Sequence, residues 1–176
     1  MFERIVVAVD GSDHAVKAAG VAGDLAEKYG SEVILLHVID RSHLSEAEEH
    51  MAEVEHVAQR GRGDPPWVAN VPAELAAMLQ PRETTNQRDR MLGYLADKVV
   101  KAATEQLEAH GVAEGRIRIL FKNGHPVKRT LETVEQEKAD LLVTGSRGVS
   151  DVAGTFAGSV SHRVMHLAPC SVITVK

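Results

Sequence analysis

The stretch Ile5-Val6-Val7-Ala8-Val9, closed by Asp10-Gly11-Ser12, decides the fold class. Successive side chains of a strand point to opposite faces, so an apolar run without polar alternation has to be covered on both sides. A buried parallel sheet meets that demand. Ser12 or Asp13 can then cap a helix by accepting a bond from its free first-turn amides. Ala15, Ala18, Ala19, Ala22, Leu25, Ala26 and Tyr29 recur three or four apart, which predicts a helix as far as Tyr29, where Gly30 stops it.

The alternation continues along the chain. Glu32–Ile39 contains VILLHVI, Arg116–Lys122 IRILF and Asp140–Thr144 DLLVT, and Ser171–Val175 reads SVITV, four further strands. Helices are expected near Met91–His110 and over Gly158–Ala168, ahead of Pro169. Another follows the turn Asn123-Gly124-His125-Pro126, with Val127, Leu131 and Val134 on one face. Strands alternating with helices call for an α/β fold, with right-handed crossovers and helices on both faces of a parallel sheet. Ligands of such sheets sit beyond the carboxyl ends of the strands, where strand order reverses. The loops after strands one, two and four are therefore the ones to watch.

One segment, 41–90, departs from this rhythm. Ser45–Ala58 reads as a charged helix with Ser45 and Glu48 spaced for a capping box; Gly61, Gly63, Pro65 and Pro66 break it, and Pro72–Leu79 reads as a short helix. It is expected to be a mobile surface insertion. The alternative is a lid over the ligand or a partner surface, with Trp67 as the anchor.

Composition narrows the class. The chain has 176 residues, 44% of them hydrophobic and only 3% aromatic, so its core rests on Val, Leu, Ile and Ala. This fits one domain, 1–176, carrying the 41–90 insertion. A net charge of −5 and a pI near 6.0 argue against nucleic acid and against an anionic membrane surface as partners. The lone Cys170 excludes an internal disulfide and reads as a small buried residue near a strand start. Neither a signal peptide nor a bilayer-length apolar run is apparent, and a cytoplasmic location is expected.

The chemistry concentrates in residues 145–161. Gly145 and Gly148 directly follow a buried strand, and after nine intervening residues Gly158-Ser159 opens a helix. Glycine lets a backbone adopt positive φ and approach a ligand closely. A helix N-terminus offers free N–H groups and partial positive charge to phosphate oxygens. Ser159 and Ser161 add hydroxyls, and Arg147 can add a cation. Neither the P-loop pattern nor Gly-x-Gly-x-x-Gly is present; Asp10-Gly11-Ser12 stands where the latter would fall.

Gly145-x-x-Gly148, nine residues, then Gly158-Ser159 resembles the ATP-binding motif of the universal stress protein family. The opening IVVAVDGSDHA, VILLHVID at 33–40, the Gly124-x-Pro126 turn and the ending APCSVITVK resemble the same family. Together they cover about 1–40 and 91–176. The resemblance implies a Rossmann-like open five-stranded parallel sheet, order 3-2-1-4-5. It implies that Ala8 and Val9 line an adenine pocket, that Asp10 lies near the ribose, and that Val38 presents backbone groups to the adenine edge beside Ile39. Gly145, Arg147, Gly148, Gly158, Ser159, Val160 and Ser161 would surround the phosphates of ATP, with Mg²⁺ accompanying a triphosphate. It also implies a homodimer through the last strand, 171–175, an open edge able to pair with a second copy.

Other readings stay open at this point. Asp10 also suits a helix cap or a turn, and Arg147 a solvated loop position. His50, Glu53 and His56 have near-ligand spacing but lie on a helix charged all round, which reads as a solvated face rather than a metal site. His162 and His166 read as packing or surface residues, since no third ligand is evident nearby. No group is specified to activate water, so a nucleotide-responsive binding module is expected rather than an enzyme, with hydrolysis at most slow. A slow ATPase or phosphotransfer enzyme, offering Asp10 or Asp151 to orient a nucleophile, and a binder of AMP or cyclic AMP are the alternatives.

Overall fold

The computed structural model describes residues 1–40, 87–149 and 158–176. Five strands alternate with four helices there: β1 Arg4–Val9, α1 Asp13–Tyr29, β2 Glu32–Ile39, α2 Gln87–Ala109, β3 Ile117–Asn123, α3 Pro126–Gln136, β4 Leu141–Gly145, α4 Ser159–Leu167 and β5 Ser171–Val175. All pairings are parallel, in the order β3-β2-β1-β4-β5. Fold class and strand order are those expected.

The unbroken apolar run of β1 is explained by what covers each face. Ile5, Val7 and Val9 join the core under α1 and α2, while Val6 joins the one under α3 and α4. Ile5, Val6 and Val7 are 0% exposed. Burying such side chains stabilises by roughly 1.5–3 kcal/mol each.

The α1 helix starts where Ser12 Oγ accepts from the Ala15 amide at 3.2 Å, so Ser12 rather than Asp13 is its cap. It ends at Gly30 in the left-handed region. Its alanine stripe is buried as predicted, but Tyr29 is exposed. The α2 helix begins at Gln87, four residues ahead of the predicted start. Its first turn, Gln87-Arg88-Asp89-Arg90, has no apolar residue and so gave no periodic signal. In α3, Val127 and Val134 are buried as read, joined by Thr130 and Thr133, while Leu131 is half-buried.

Acidic groups pin the amino end of the sheet. Asp140 accepts from the Glu3 and Arg4 amides at 2.8 and 3.0 Å, and Arg118 bridges Glu137 and Glu32. Among the described residues no helix is long and apolar enough to cross a membrane. The expected elements Ser45–Ala58 and Pro72–Leu79, Trp67, the His50/Glu53/His56 group and Asp151 lie outside the described residues.

Candidate functional site

A cleft of about 1000 Å³ opens at the carboxyl ends of β1, β2 and β4. The strand order reverses around β1, where parallel α/β sheets bind their ligands. All twelve residues singled out from the sequence line it: Ala8, Val9, Asp10, Val38, Ile39, Gly145, Arg147, Gly148, Gly158, Ser159, Val160 and Ser161. Residues distant in sequence thus share one space because β1 pairs with both β2 and β4.

The strand ends supply an apolar shelf. Ala8 and Val38 belong to the core face under α3 and α4, and Ile39 to the opposite one. At the mouth of β1, Asp10 is exposed and held by its own turn. Its Oδ1 accepts from the Ser12 amide at 3.0 Å and from Ser12 Oγ at 2.7 Å. Asp10 is therefore a turn residue whose position lines the cleft. Ser12 Oγ also lies 3.1 Å from the Arg147 carbonyl, tying the loop after β1 to the loop after β4.

The glycine loop differs in detail from its sequence reading. Glycines with positive φ among the described residues are Gly11, Gly30, Gly111 and Gly124; Gly158 has φ −71°. Gly145 lines the cleft and is also required by its close approach to α1. A Cβ there would lie 2.9 Å from the Ala15 nitrogen and from the His14 carbonyl carbon. Ser161 is buried, and its hydroxyl donates toward the Ser146 carbonyl at 2.8 Å and that of Gly158 at 3.1 Å. It latches α4 to the β4 loop, so its proton is engaged within the fold. The Gly158 amide donates to the same Ser146 carbonyl at 2.7 Å.

The α4 helix has no side-chain cap at Gly158, and its first backbone bond runs from the His162 amide to the Gly158 carbonyl. The amides of Ser159, Val160 and Ser161 therefore have no intrahelical acceptor, and the positive end of the helix faces the cleft. Arg147 lines the same space, as does Arg163. Such a set suits an anion with several oxygens.

Sequence reasoning missed several lining residues. Arg163 stands four residues after Ser159, one turn along the same helix, and that spacing could have found it. His37 and Asp40 at the end of β2, the 123–127 turn and Thr130 also line the cleft. His37 Nδ1 lies 2.8 Å from the Val9 carbonyl. A carbonyl only accepts, so that nitrogen carries the proton. Leu92, Leu95 and Val99 of α2 close one wall, and no local motif marks them. Among the described residues no group of three or more His, Cys, Asp or Glu could hold a metal ion.

Comparison with known proteins bears on the fold and the family. The model of the universal stress protein family matches residues 1–64 and 46–176. A Thermus aquaticus protein described as a universal stress protein in the QAH/OAS sulfhydrylase 3′ region is 29% identical over 180 residues, spanning 100% of both chains. A solved universal stress protein in complex with cAMP superposes with a TM-score of 0.58 at 23% identity, over 99% of this chain and 97% of that one. Another, from Archaeoglobus fulgidus in complex with dAMP, does so at 0.58 and 17% identity, over 100% and 99%. The two structures share the fold, and the match along the whole chain gives the kinship: this chain belongs to the universal stress protein family.

Proposed function

We propose that the cleft binds an adenine nucleotide, ATP with its Mg²⁺, and that the chain is a nucleotide-responsive regulatory module of the stress response rather than an enzyme. The observation that carries this reading is the convergence of an apolar shelf, an oriented carboxylate and three helix-terminal amides on one cleft. Ala8, Val9, Val38 and Ile39 take the base, Asp10 the ribose hydroxyls. The α4 amides, Arg147 and Arg163 take the phosphates, whose charge they offset. Mg²⁺ is a hard cation that keeps most of its waters. On this reading the phosphate oxygens supply its main protein-independent ligands.

Hydrolysis needs a group that orients the attacking water. Among the described residues the carboxylates lining the cleft are Asp10 and Asp40; on this reading Asp10 is engaged by the ribose, which favours binding without turnover. The monophosphates held by the two solved relatives favour a second reading, an AMP or cyclic-AMP site using the same base and ribose contacts. Mass spectrometry of the ligand released by heating the purified protein separates these. ATP is expected, and a monophosphate or an empty cleft would displace the first reading. Gly158→Val places a branched side chain at the buried N-cap of α4. It is expected to abolish ATP binding in calorimetry while the circular dichroism spectrum is retained. Turnover above the buffer rate would reinstate the ATPase.

A further inference from the structure

Outside the cleft, the outward face of α4 carries two histidines one turn apart. His162 and His166 are both exposed, and their rings meet edge to face with centroids 4.8 Å apart. Neither lines the cleft. The buried residues of α4 are Ser161 and Val164, so the two imidazoles project away from the core and serve no packing role. Their ring contact shows that the two side chains lie side by side on the helix surface.

We propose that His162 and His166 form a two-imidazole chelate for a divalent first-row transition-metal ion of the Cu²⁺, Ni²⁺ and Zn²⁺ class, with water completing the coordination. Histidines at i and i+4 share one helix face, the spacing by which helical zinc sites present two imidazoles to one ion. Imidazole nitrogen suits these metals, whereas Mg²⁺ and Ca²⁺ prefer oxygen. His166 stands in the last turn of α4, where a cation meets the partial negative charge of the helix end. Arg163, the cation between the two in sequence, lines the cleft instead. The chelate has a structural consequence. At nine residues, α4 is shorter than the ~12–15 residues an isolated helix needs. An ion bridging its two last turns would hold the helix whose first turn faces the cleft.

Calorimetric titration of the whole chain with NiCl₂, CuCl₂ and ZnCl₂ tests this. His162→Gln, His166→Gln and the double variant keep a helix-compatible side chain. The wild type is expected to take up one equivalent more than the double variant. Each single change is expected to weaken that equivalent by more than about tenfold, the lower end of what losing even an outer-shell partner costs. MgCl₂ should give no such signal, and binding is expected to follow the order Cu²⁺ above Ni²⁺ and Zn²⁺. Paramagnetic broadening by Cu²⁺ on the wild type, which needs no variant to fold, should centre on 159–167. Equal uptake by wild type and double variant, or broadening centred elsewhere, would overturn the site.

Discussion

Gly145 shows how one residue can matter for a reason its motif does not announce. In the sequence it belongs to a phosphate-loop pattern, yet in the fold it is the point where β4 meets the backbone of α1. Gly145→Ala puts a methyl group 2.9 Å from main-chain atoms that cannot rotate away. The expected loss is about 1–3 kcal/mol, the usual cost of overpacking, read as a lower urea midpoint even without nucleotide. Unchanged stability would mean that α1 can retreat freely. Asp140 is a second case. The Arg4 and Glu3 amides hold its carboxyl below the usual range. A carboxyl with a depressed folded-state pKa contributes stability above its unfolded value and loses it as pH falls through the folded one. Asp140→Asn is therefore expected to be less stable than wild type at neutral pH, with the gap closing below about pH 4. Parallel stability curves down to pH 2 would contradict the assignment.

Among the elements, α4 is a nine-residue helix that depends on its neighbours. Its packing rests on Val164 and on the Ser161 latch to the β4 loop. Ser161→Ala removes that hydroxyl, while the Ser146 carbonyl keeps the Gly158 amide as donor. A loss of about 1 kcal/mol follows from one net hydrogen bond, accompanied by weaker ATP affinity as the three amides lose their fixed direction. The start of α1 behaves alike. Ser12→Ala deletes the cap, again at about 1 kcal/mol, and frees the Asp10 carboxylate from its 2.7 Å partner. Chemical denaturation and ATP titration of both variants check this. Stability lost with affinity intact would show that the latch and cap serve the fold alone. The elements were legible in the sequence where their pattern was strong, as in β1 and the alanine face of α1. The polar first turn of α2 was not, because a turn without apolar residues leaves no period to detect.

At the scale of the whole molecule, β5 pairs among the described residues only with β4, which leaves its other edge open there. The homodimer expected through 171–175 would cover it. Proline cannot donate to a ladder, so Val172→Pro or Ile173→Pro is expected to shift gel-filtration elution from dimer to monomer, and an unaltered dimer would point to another face. At this scale two kinds of information separate. Local pattern determined the fold class, the parallel sheet and the glycine loop that leads into a helix start, because burial on both faces forces continuous apolar strands and helix ends force particular caps; the twelve residues proposed for the site came from the resemblance to the universal stress protein family. Tertiary structure alone decided that Gly145 serves α1, that Ser161 is a latch, and that Arg163, His37 and the wall of α2 share the cleft. Those facts depend on which elements the sheet order brings side by side, and contacts between residues far apart in sequence leave no local period to read.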